Sequence, residues 1–152
     1  MDAIILMAGA GSRLGASTPK PLVQIGGRAL ISYTFDALER VGVTDVHVVV
    51  GAHNGLASEV RALLPRDMRF HVIVNPEPQK QNGISVLCAA GKVSAPFFLM
   101  MGDHLFEPTI FETLLARINA RALDIVRVDI AQRPRTHFAS QIAPLHACQE
   151  IH

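Results

Sequence analysis

Net charge is almost absent from this chain. Fourteen lysines and arginines face 13 aspartates and glutamates, leaving +1 with neutral histidines. That balance gives no basic footprint for nucleic acid. Cysteine is scarce too. Cys88 and Cys148 stand far apart with no paired spacing, which argues against a disulfide or zinc framework and suits a reduced, cytoplasmic setting. Long hydrophobic runs are missing. Candidates such as residues 96–102 have the length of a strand, well short of a membrane span. The opening MDAIILMAGAGSRLG has no basic residue ahead of its short apolar run and carries Asp2, so it does not read as a signal sequence.

The 152 residues are 49% apolar and 18% charged, which suits one globular domain with a single core. Residues 3–8 form a continuous apolar run that stops at Gly9 and reads as a buried strand. A loop containing glycine, serine and proline follows to residue 27. Apolar positions Leu30, Ile31, Tyr33, Thr34, Ala37, Leu38 and Val41 suit an amphipathic helix over 29–41, closed by Gly42. Residues 46–50, 70–74 and 97–101 read as further buried strands. Helices are predicted over 56–64, 84–93 and 109–120, and a fifth strand over 125–130. This alternation predicts an α/β fold, three-layer and doubly wound around a mostly parallel sheet, whose ligands bind beyond the carboxyl ends of the strands. The alternation stops near Gln132. Residues 1–131 therefore read as the organised part, and 132–152 as an atypical tail, poorly ordered or out of frame.

Three glycine motifs compete for Gly9-Ala10-Gly11-Ser12-Arg13. The dinucleotide fingerprint would need glycine where Leu14 stands, and the P-loop would need Gly-Lys-Ser/Thr, which does not occur. What fits is a strand, then Leu-x-Ala-Gly-x-Gly-x-Arg, then Pro-Lys-Pro. Gly9 and Gly11 allow the backbone to approach a phosphate or base, and successive N–H groups can form an anion-binding concavity. Arg13 offers a planar cation and Lys20 a compact one, with Pro19 and Pro21 stiffening the chain on both sides.

Two later loops lie at predicted strand ends. Asn82-Gly83-Ile84-Ser85 opens a helix, and Asn82 can serve as its cap. Met101-Gly102-Asp103-His104 presents a carboxylate that suits either a hard cation or a turn cap. His47, His53 and His71 lie in or near strands and read as structural.

The segment LMAGAGSRLGASTPKPLVQIGG resembles the opening signature of the nucleotidyltransferase superfamily that includes sugar-phosphate nucleotidylyltransferases and molybdenum-cofactor guanylyltransferases. The resemblance implies transfer of an NMP group from an NTP to a phosphorylated sugar or polyol, with release of pyrophosphate. By that match, Leu6, Ala8 and Gly9 would meet base and ribose through their backbone, and Gly11 and Ser12 would hold phosphates. Arg13 and Lys20 would neutralise the triphosphate and act as the catalytic cations. Asn82, Gly83 and Ser85 would help read the base, and Asp103 would bind Mg²⁺. The Asp103-His104 pair, followed by Leu105-Phe106-Glu107, resembles the inositol-1-phosphate cytidylyltransferases and favours CTP. Asp129 matches an aspartate common after their fifth strand. The resemblance covers residues 3–133. Nothing after them resembles the family's acceptor-binding section or its second metal-binding aspartate, so the chain reads as truncated at its C-terminus. The alternative expectation is a nucleotide-binding module without complete catalysis.

Overall fold

A computed structural model describes residues 1–9, 18–52 and 55–119. Four parallel strands form the main sheet: β1 (Asp2–Leu6), β4 (Asp45–Gly51), β5 (Arg69–Asn75) and β6 (Phe97–Met101), in the order β5-β4-β1-β6. Two short strands, β2 (Gln24–Ile25) and β3 (Arg28–Ala29), pair as an antiparallel hairpin. The helices are α1 (Leu30–Arg40), α2 (Leu56–Arg61), α3 (Asn82–Leu87) and α4 (Pro108–Asn119). The predicted fifth strand and the proposed boundary near residue 131 lie outside the described residues.

The alternation of side chains along β1 builds both cores. Ala3, Ile5 and Met7 join Val46, Val48, Val50, Phe98 and Met100 on one face, packed under Phe35 and Leu38 of α1, Leu56 and Val60 of α2, and Phe111 of α4. Ile4, Leu6 and Ala8 join Val49 and Ile73 on the other face, beneath Val86 and Ala89. A strand buried on both faces is apolar throughout, which is why residues 3–8 stand out in the sequence.

Helix α1 ends as its composition requires. Gly42 adopts φ +74° and donates to Glu39 O at 3.0 Å, while Val43 N–H reaches Leu38 O at 3.1 Å. That is a Schellman closure, and Val43 joins Leu38 in the core. Helix α3 departs from expectation. It starts two residues earlier than predicted and stops at Leu87, with turns leading to Gly91 at φ +70°. Asn82 is its first residue, so the cap position belongs to Gln81, with no side-chain cap bond.

The hairpin was not predicted. Gly26 and Gly27 both have positive φ, +57° and +79°, as a two-residue type I′ turn demands. Tyr33 of α1 donates its hydroxyl to Ile25 O at 2.6 Å, and Leu30 N–H bonds Val23 O at 2.9 Å. The hairpin is thereby fastened to α1, and it fixes the 3₁₀ turn Lys20–Leu22 just before it.

At the amino edge of the sheet the charges are paired. Asp45 receives a forked contact from Arg69 at 2.7 and 2.5 Å, and His71 Nε2 lies 3.0 Å from it. The Arg69 hydrogen bonds hold the Asp45 carboxyl well below the usual range. His71 stacks on the buried ring of His47, with centroids 4.5 Å apart. Burial pushes the His47 pKa down, and repulsion from His71 adds to it, against the opposing pull of Asp2 and Asp45. Protonating His47 is therefore harder in the folded chain than in the unfolded one, which takes up a proton near pH 6.5, roughly the free imidazole value. The associated stability is present above that pH and is lost as pH falls below it, by up to about 1.4 kcal/mol per pH unit. The melting temperature should fall between about pH 7.5 and 5.5, and His47→Gln should flatten that dependence. Equal slopes in the two proteins would remove His47 as the cause.

Candidate active site

The winding order creates the site. The chain passes from β1 to β4 to β5 in one direction, then returns to place β6 on the far side of β1. The segments leaving β1 and β6 are thus neighbours at a switch point, where open α/β sheets bind ligands. Backbone bonds carry the ladder beyond the strands: Met7 N–H to Val49 O at 2.8 Å, and Gly102 N–H to Leu6 O at 3.0 Å.

Two glycines flank this exit. A Cβ on Gly102 would lie 2.5 Å from Met7 Cγ and 3.3 Å from Ile5 Cγ2. A Cβ on Gly51, at the end of β4, would lie 3.3 Å from Pro78 and 3.6 Å from Ala8 O. A side chain at Gly102 would force Met7 to shift, whereas one at Gly51 would press on Pro78 and only touch Ala8 O.

Lys20 and Asp103 meet here, although 83 residues separate them. Lys20 Nζ lies 3.2 Å from Asp103 Oδ2, with side chains 41% and 24% exposed. His104 Nδ1 is 2.9 Å from Asp103 Oδ1, yet that buried oxygen has no aligned hydrogen bond among the described residues. His104 lies near Phe106, which meets Phe111 edge-on at 5.6 Å, and Phe111 meets Phe98 at 5.5 Å. This aromatic row anchors the Asp103 loop to the core. The Lys20 side is held by Pro21, which is buried, and by the hairpin.

Of the other residues expected at the site, Leu6 and Ala8 are buried at the end of β1, and Gly9 is exposed just beyond it. Asn82 and Gly83 are exposed at the start of α3, with Asn82 Nδ2 3.9 Å from Met101 Sδ. Ser85 differs: it is buried, and its Oγ accepts from Asn75 Nδ2 at 2.9 Å. Gly11, Ser12 and Arg13 lie outside the described residues.

The donor chemistry around Asp103 can be tested for a hard cation. Among the described residues, no group of three or more histidines, cysteines, aspartates or glutamates is arranged to hold a metal. A single carboxylate with one unsatisfied oxygen suits an ion that takes the rest of its ligands from phosphates and water, as Mg²⁺ does.

A family model for the MobA-like NTP transferase domain matches residues 3–151. The chain belongs to this family. The matched span extends through residues 132–151. Among curated proteins, the chain is 38% identical over 125 residues to a CMP-5'-(3-aminopropyl)phosphonate synthase of Streptomyces rubellomurinus, covering 80% of this chain and 20% of that one. It is 35% identical over 114 residues to a bifunctional IPC transferase and DIPP synthase of Aquifex aeolicus, covering 72% and 26%. The chain thus spans only about a quarter of the length of these relatives. Among solved structures, the inositol-1-phosphate CTP transferase of T. maritima superposes with TM-score 0.63 at 27% identity, over 74% of this chain and 47% of that one. HddC of Yersinia pseudotuberculosis, complexed with GMP-PN, superposes at 0.64 and 24% identity over 78% and 54%, a likeness of fold alone. The nucleotidyltransferase family and the parallel-sheet α/β fold expected from the sequence are therefore both found. No helix among the described residues is long and apolar enough to cross a membrane.

Gly102→Ala should cost about 1–3 kcal/mol, because the new methyl overlaps Met7. Denaturant midpoints measure this. An unchanged midpoint would mean that Met7 moves aside without penalty.

Proposed function

We propose that this chain transfers CMP from CTP to a phosphorylated polyol or sugar, releasing pyrophosphate. The observation that carries this reading is the Lys20–Asp103 pair at the switch point, beside the glycine-rich exit of β1. The names of two relatives and one structural neighbour, which specify CMP, IPC and CTP, support cytosine over the other bases.

An acceptor phosphate oxygen attacks the α-phosphorus of CTP. The new P–O bond forms as the bond to the bridging oxygen of the β-phosphate breaks, and both electrons leave with pyrophosphate. The acceptor is already ionised at neutral pH, so no general base is needed. Backbone groups of Leu6, Ala8 and Gly9 would hold the nucleoside, with Asn82 and Gly83 beside the base. Gly11 and Ser12 would donate backbone N–H groups to the phosphates. Arg13 and Lys20 would offset the charge gathering on the leaving pyrophosphate. Asp103 would hold Mg²⁺, which when bound supplies Lewis acidity and orients the phosphates. In the structure Lys20 neutralises Asp103, so ligand binding exchanges one set of charge partners for another.

A second reading, a nucleotide-binding module without turnover, rests on the absence, among the described residues, of any group of three or more acidic, histidine or cysteine side chains that could hold a metal. Calorimetry with CTP and Mg²⁺ tests binding, and pyrophosphate release with inositol 1-phosphate separates the two readings. Lys20→Ala and Arg13→Ala should each lower turnover about 10²–10³-fold, the usual cost of one well-placed donor, with circular dichroism unchanged. Near-normal turnover in either variant would falsify the assignment of these cations.

A further inference from the structure

We propose that Asn75 is a positioning residue for nucleotide recognition, acting with the Gly51–Pro78 contact to hold residues 76–83 against the exit of β1. The inference rests on the nucleotidyl-transfer reading, in which Ala8, Asn82 and Gly83 meet the nucleoside.

Asn75 ends β5 and is completely buried. A buried amide is costly unless both of its ends are bonded, and here both are. Its Nδ2 donates to Ser85 Oγ at 2.9 Å, and its Oδ1 accepts from Glu77 N–H at 2.8 Å. The Glu77 N–H can only donate, which fixes the orientation of the amide. One side chain therefore ties the strand end to the start of the loop and to the second turn of α3. Asparagine suits this task because it presents a donor and an acceptor from one rigid plane.

The middle of the loop is held separately. Pro78 lies over Gly51, close enough that a Cβ there would meet its ring at 3.3 Å and Ala8 O at 3.6 Å. Glu77 and Lys80 close the loop on itself through a 2.5 Å ion pair and a 3.0 Å backbone bond. The two exposed residues at the start of α3, Asn82 and Gly83, thus inherit their position from groups that never face the ligand. Ser85 belongs to this bracket, which accounts for its buried hydroxyl.

The experiment titrates the full chain with CTP, GTP, UTP and ATP in the presence of Mg²⁺ by calorimetry, comparing wild type with Ser85→Ala, Gly51→Ala and Asn75→Ala. Ser85→Ala should weaken the preferred nucleotide about ten- to a hundredfold, as expected when one buried donor is left without a partner. Gly51→Ala should act in the same direction by displacing Pro78. Both should narrow the preference between bases at full binding stoichiometry. A merely structural role would reduce the fraction of competent molecules and leave the Kd and base preference of the remainder intact, and that result would overturn the proposal. If Asn75→Ala does not fold, the other two variants decide. Failure of wild type to bind any of the four nucleotides would overturn the underlying functional reading. Tight wild-type binding with unaffected variants would overturn the bracket alone.

Discussion

The carboxyl edge depends on the parallel pairing of β1 with β4 on one side and with β6 on the other. The backbone leaving β1 runs between Gly51, which ends β4, and Gly102, which follows β6. The ladder continues past the strand ends through Met7 N–H to Val49 O and Gly102 N–H to Leu6 O, and the missing Cβ at Gly102 leaves room for the Met7 side chain. That pairing brings the end of β1, the Pro78 loop and the Asp103 loop to one edge of the sheet. A methyl at Gly102 alone would push against the residue that begins this exit.

The two edges of the sheet use charge differently. At the amino edge, Asp45 is held by Arg69, His71 and Thr44, and its ionised form is strongly favoured. Such a carboxylate has little capacity left for another partner. At the carboxyl edge, Asp103 has Lys20 at 3.2 Å from one oxygen and His104 Nδ1 at 2.9 Å from the other, without an aligned hydrogen bond to that second oxygen. Lys20 is a flexible point charge rather than a planar fork, so its contact is readily given up. The first arrangement suits permanence and the second suits exchange.

The sequence made the sheet legible because β1 and β4 are buried over most of their length and therefore nearly continuously apolar, while β6 is apolar throughout although only Phe98 and Met100 are buried. Lys20, Asn82 and Asp103 were legible as residues because each stands in a short, local motif. Their assembly was not, since no local pattern records contact across 83 residues. The Gly26-Gly27 hairpin could have been found, because two adjacent glycines between short extended segments are a direct turn signal. Asn75 stands just past the predicted strand 70–74 with no motif of its own, and its partner Ser85 reads in sequence as a ligand contact. A buried amide that bonds only within the protein leaves no periodicity or spacing to read.

The 83-residue reach of the Lys20–Asp103 contact also orders events in time. Lys20 belongs to a turn fastened locally to α1, whereas Asp103 arrives only when β6 inserts beside β1. Closing so long a loop is slow compared with forming local turns and helices. The pair is therefore absent until the fourth strand has docked. A ligand that needs both residues has no purchase on earlier, partly folded forms, so it stabilises the finished sheet without guiding its formation.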